Sequence, residues 1–91
     1  PTFGRPGPLE RCLSALLDQH LPAREVIAVY PARDRATASV VSRSPRVLAV
    51  CTSAPSNLEG MRLGAQRATG DIICFTDDDA RPRPAWLERV A

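Results

Sequence analysis

The sequence predicts a layered α/β fold, a mostly parallel sheet with flanking helices, and three observations lead there. Segments with apolar residues at helical spacing alternate along the chain with short β-branched runs, the order that right-handed βαβ crossovers produce. One run, Ile72-Ile73-Cys74-Phe75, is apolar without alternation, as in a strand covered on both faces in the middle of a parallel sheet. The chain also opens with a helical pattern that has no strand before it, while Pro1-Thr2-Phe3 has the character of a loop just after one. A first strand is therefore expected to precede Pro1, and the 91 residues are read as part of one domain, with no second.

Element by element, Pro1 to Pro8 reads as a Gly/Pro loop, followed by Leu9, Cys12, Leu13, Leu16 and Leu17 on one face of a helix that ends near Gln19. His20-Leu21-Pro22 breaks it, and Glu25 to Tyr30 is a strand. After a polar turn through Arg35, a short helix runs through Ala36 to Val41 and a second strand through Arg46 to Val50. Leu58, Met61, Leu63, Ala65 and Ala68 mark a third helix, with Gly70 placed as its C-terminal cap and Gly60 and Gly64 spaced for close packing on the sheet. The apolar strand follows at once and stops at Thr76, and Pro84 to Val90 is a last helix anchored in the core by Trp86.

The apolar share of 44% and charged share of 24% are those of an ordinary packed domain, which excludes a disordered tail. All twelve cationic side chains are arginines, scattered from Arg5 to Arg89 without a block or stripe, so a nucleic-acid interface is not expected. No apolar run approaches the ~20 residues that a spanning helix needs, and no membrane span is expected in this segment. Cys12, Cys51 and Cys74 are odd in number and lack CxxC spacing, which reads as reduced, buried thiols in a cytoplasmic setting; attachment of a longer protein at the inner face of a membrane stays open.

Chemistry concentrates at Asp77-Asp78-Asp79, directly after the apolar run. Open α/β sheets bind ligands beyond the carboxyl ends of their strands, and clustered carboxylates need a cation to neutralise them. Hard oxygen donors at this density suit Mg²⁺ or Mn²⁺. The other reading is that the aspartates cap the turn and pair with Arg81 and Arg83, and spacing alone leaves both open.

Larger patterns add a resemblance. Pro1-Thr2-Phe3-Gly4-Arg5-Pro6 with the leucine-rich helix behind it, Ala68-Thr69-Gly70-Asp71-Ile72, Phe75-Thr76-Asp77-Asp78-Asp79 and Pro84-Ala85-Trp86-Leu87 together resemble family 2 glycosyltransferases over nearly the whole chain. The resemblance implies a Rossmann-like GT-A fold, of which this chain is the nucleotide-binding half, and transfer of a sugar from a nucleotide-diphosphate donor to an acceptor hydroxyl. It implies that Pro1, Thr2 and Phe3 lie along the nucleobase, that Asp77 and Asp78 hold the nucleotide-sugar, and that Asp77 and Asp79 of the DxD motif hold Mg²⁺ or Mn²⁺. The catalytic base is expected beyond Ala91, and the 91 residues alone are expected to be inactive.

Two departures accompany the match. Where the family carries Asp-Asp-Gly-Ser after its second strand, this chain has Tyr30-Pro31-Ala32-Arg33-Asp34, and Asp34 is expected to stand in as the base contact. Arg62 replaces an asparagine and is expected to be a solvated helix residue. The rival to the enzyme is a non-catalytic α/β module whose acidic turn binds a cation or a partner. A receiver-like phosphoryl-transfer domain is disfavoured by the absence of lysine.

Overall fold

The computed structural model describes residues 1–53 and 56–90. In chain order the elements are α1 (Pro6–Leu17), β1 (Val26–Pro31), α2 (Arg35–Ser42), β2 (Val47–Thr52), α3 (Asn57–Arg67) and α4 (Trp86–Val90). The two strands pair in parallel, from Val26 opposite Val47 to Pro31 opposite Thr52, and α2 makes the crossover. The fold is α/β, a parallel pair with flanking helices, as in a Rossmann-like GT-A half.

Alternation along β1 divides the interior. Ala28 and Tyr30 pack with Val47 against Leu9 and Leu13 of α1 and Val40 and Val41 of α2, forming the core. Val29 points the other way, toward α3, where the absence of side chains at Gly60 and Gly64 lets helix and strand approach. A Cβ on Gly64 would lie 3.3 Å from Val29 Cγ2, so the close packing expected of these glycines is observed. That face exposes Leu58, at 78% of its surface, although its spacing had put it with the apolar residues of α3.

The run Ile72–Phe75 departs from its expected place. It forms no strand, and Ile72, Ile73 and Phe75 are exposed. A strand needs a neighbour for its N–H and C=O groups. Here β1 gives one edge to β2 and on the other bonds Thr2 N to Val29 O at 2.9 Å, and an apolar channel of about 280 Å³ separates that edge from Ile72–Phe75. Trp86 and Leu87 are half-buried along this channel instead of anchoring the core, and Val90 is exposed.

Gly70 does not cap α3: Ala68 ends the helix in an extended conformation, and Glu25 takes Thr69 N and Thr69 Oγ1 at 3.0 and 2.7 Å. Of the three cysteines only Cys12 is buried, whereas Cys51 and Cys74 are exposed. Arg62 is exposed and donates to Glu59, one turn back, as a solvated helix residue does.

Candidate functional site

The site lies where the loop ahead of α1 meets the turn after Phe75, just past the carboxyl end of β1. Thr2 is nearly covered, and its hydroxyl donates to Asp78 Oδ2 at 2.8 Å. The Arg5 guanidinium reaches Asp78 Oδ1 through Nη1 at 3.3 Å and Asp79 Oδ2 through Nη2 at 3.1 Å. The side chain of Asp78 keeps 11% of its surface in solvent and that of Asp79 keeps 53%, so the middle carboxylate faces the fold and the outer one faces water. Among the described residues the ion pairs of this turn are with Arg5, not with Arg81 or Arg83 as the capping reading expected.

Asp77 has an exposed side chain, and its carbonyl does the local work. It accepts from Ala80 N at 3.2 Å, closing the turn, and from the thiol of Cys12 on α1 at 3.5 Å. Burial, then the negative charges of Asp78 and Asp79, push the Cys12 thiol up, which keeps it protonated as a donor. Further along, Gln19 at the end of α1 donates to Arg83 O at 2.8 Å and accepts from Leu87 N at 3.0 Å, pinning the segment that leaves the turn.

Asp34 bonds to the same opening loop from the other side. As N-cap of α2 it accepts from Thr37 N at 3.2 Å and Thr37 Oγ1 at 2.6 Å, and it also accepts from Gly4 N at 2.6 Å. Burial opposes its ionisation, yet the bonds from Thr37 and Gly4, helped by the Arg33 charge, hold its carboxyl below the usual carboxylate value. Gly4 sits at φ 65, a conformation that favours glycine, with open space where a Cβ would be. The loop is thus bent at Gly4 and bonded to Asp34 on one side and Asp78 on the other.

Of the residues expected along a nucleobase, Thr2 is committed to Asp78, and Pro1 packs so closely on α3 that a Cβ on Gly60 would lie 2.6 Å from Pro1 Cβ. Phe3 is exposed, with the Arg33 guanidinium 5.3 Å above its ring. The structure brings Thr2, Asp78 and Asp79 together and ties Asp34 to them through Gly4. Arg5 and Gln19 escaped sequence reasoning. Arg5 lies inside the Pro1–Pro6 pattern, but nothing in its spacing points to a partner in the acidic turn.

Among the described residues no three His, Cys, Asp or Glu side chains converge to cage a metal. The donor set nonetheless suits a hard divalent ion of the Mg²⁺ kind, which takes one or two carboxylates and completes its shell with water and phosphate oxygens. The outer aspartates present such carboxylates to solvent, and a cationic group, Arg5, already rests against Asp79.

A parallel α/β unit with its charged site on loops past the strand ends has the layout of a domain that binds ligands at the carboxyl edge of its sheet. The chain belongs to glycosyl transferase family 2, whose family-wide sequence model matches residues 1–91. Glycosyl transfer is the chemistry of that family, which implies a nucleotide-sugar donor and an acceptor. No curated protein and no solved structure matches the chain significantly. No helix among the described residues is long and apolar enough to cross a membrane.

Proposed function

We propose that the opening loop, Asp34 and the acidic turn form the donor side of a glycosyltransferase, which takes a nucleotide-diphosphate sugar with Mg²⁺ or Mn²⁺ for transfer to an acceptor hydroxyl. The observation that carries this reading is the bond from Thr2 Oγ1 to Asp78, which joins the two segments whose motifs resemble the family's donor-binding parts. In this reading Asp77 and Asp79 would hold the cation, whose chemistry is neutralisation of the departing diphosphate as a Lewis acid. Asp78 orients the turn by accepting from Thr2, and Phe3 with Arg33 offers an exposed apolar and cationic surface on the base side. Asp34 serves that side through Gly4, since its oxygens accept from the loop and from Thr37. The 91 residues, as part of one domain, are expected to bind donor weakly and to transfer no sugar by themselves. Its three free cysteines suit a cytoplasmic setting.

The second reading, a non-catalytic module, draws on the pairing of Arg5 with Asp78 and Asp79, which gives the turn a purely structural use. Titrating UDP, GDP and dTDP with Mn²⁺ separates the two. Metal-dependent nucleotide binding that disappears in Asp79→Ala supports the donor site, whereas no binding at millimolar nucleotide supports the module.

A further inference from the structure

Arg5 is where the opening loop and the acidic turn carry opposite charges into contact. One planar guanidinium spans two successive carboxylates, with Nη1 3.3 Å from Asp78 Oδ1 and Nη2 3.1 Å from Asp79 Oδ2. The two carboxylates are not equivalent. Asp78 is mostly covered and keeps a second bond, from Thr2 Oγ1, whereas among the described residues Arg5 is the partner of the more exposed Asp79.

On the donor-binding reading above, Asp79 is also a ligand of the divalent cation, and a guanidinium and a divalent ion repel each other over the same carboxylate. Resting on that reading, we infer that Arg5 is the resident counter-cation of the acidic turn, and that a divalent ion binding at Asp79 competes with it and releases it. The backbone next to Arg5 suits such an exchange. Gly4 precedes it at φ 65 with nothing within 4 Å of a Cβ position, and the Arg5 side chain is half exposed. Thr2 and Gly4 keep their own bonds to Asp78 and Asp34, so release of the guanidinium frees the Arg5 end of the loop and leaves the rest attached. Cation binding and the mobility of that end are then linked, each altering the other by the same factor.

The test measures Mn²⁺ binding to the purified protein without nucleotide, by the paramagnetic resonance signal of the free ion, for wild type, Arg5→Ala, Arg5→Lys and Asp79→Ala. Removing the two ion pairs of this half-exposed arginine should tighten Mn²⁺ binding about three- to tenfold in Arg5→Ala. Arg5→Lys, which keeps the charge, should stay near wild type. Amide exchange at Leu9, whose N–H donates to Arg5 O at 3.0 Å, should speed up when Mn²⁺ is added to wild type and be insensitive to it in Arg5→Ala, a response that a merely structural arginine would not give. If Asp79→Ala abolishes binding while Arg5→Ala binds no more tightly than wild type, the competition is refuted and the donor site stands. If neither wild type nor Arg5→Ala binds Mn²⁺, with or without a nucleoside diphosphate, the donor-site reading fails and takes this inference with it.

Discussion

The hydroxyl of Thr2 and the carboxylate of Asp78, 76 positions apart in sequence, meet at 2.8 Å. Because Asp78 is mostly covered, this contact is sheltered from water, and hydrogen bonds to a charged group in such a place contribute more than neutral ones, about 1.5–3 kcal/mol. Replacing Thr2 by Val keeps the side-chain shape and deletes the donor. Thr2→Val should lower the unfolding free energy by about 1–2 kcal/mol and weaken metal-dependent nucleotide binding about fivefold. Urea unfolding and calorimetric titration read the two effects.

Asp34 should make stability depend on acid. Its folded carboxyl lies below the usual 3.8, so the folded protein holds the carboxylate where the unfolded chain begins to protonate. The contribution is therefore complete above that value and is lost as pH falls through the lowered folded value. A series of urea unfolding curves across this acid range should show a loss of stability in wild type that is smaller in Asp34→Ala. Near neutrality the variant should be less stable by about 2 kcal/mol, the upper range for losing a helix cap.

Gly60 and Gly64 should differ when changed to alanine, although both lie on α3. A Cβ at Gly60 meets Pro1 Cβ at 2.6 Å and Pro1 Cγ at 3.1 Å, so the opening loop has to move. Gly60→Ala should cost about 1–3 kcal/mol, as overpacking does. At Gly64 the neighbour is the Val29 side chain at 3.3 Å, and the gain of about 1 kcal/mol in helix propensity offsets much of the crowding. Thermal unfolding of the two variants should rank Gly64→Ala well above Gly60→Ala.

Gln19 should hold the segment beyond the acidic turn. It is buried, with its amide nitrogen donating to Ala15 O and Arg83 O and its oxygen accepting from Leu87 N. Gln19→Ala leaves the Leu87 amide without that partner, at about 1–3 kcal/mol for a lost buried bond. Hydrogen exchange at Leu87 should accelerate by more than exchange at Val29, which lies in the paired strand β1.

The parts of the fold set by local pattern were readable from sequence. Apolar spacing located α1 and α3, and β-branched runs located β1 and β2, each within a few residues of its observed bounds. Ile72–Phe75 was misread because an apolar run reports what a segment would gain from burial, while pairing depends on a neighbouring strand that periodicity does not supply. The same limit applies to Trp86, whose surroundings are set by that segment and not by its own helix. At the site, the acidic trio and the opening loop stood out as motifs. Their union through Thr2 and Arg5 did not, since a contact between residues more than 70 apart leaves no mark in spacing. Asp34 was noticed for its position after β1, but its bonds to Gly4 and Thr37 depend on how the loop folds back.

The channel between β1 and Ile72–Phe75 has a practical consequence for anyone assaying this protein. Dyes such as ANS brighten in apolar surroundings, and a bright signal is commonly taken as a sign that tertiary packing has loosened. Here the folded chain itself offers Ile72, Ile73 and Phe75 beside an apolar opening, so fluorescence enhancement is expected from a well-packed native sample. Near-ultraviolet circular dichroism, which follows the fixed environments of Trp86 and Tyr30, is the readout that distinguishes a dye-binding native state from a molten one.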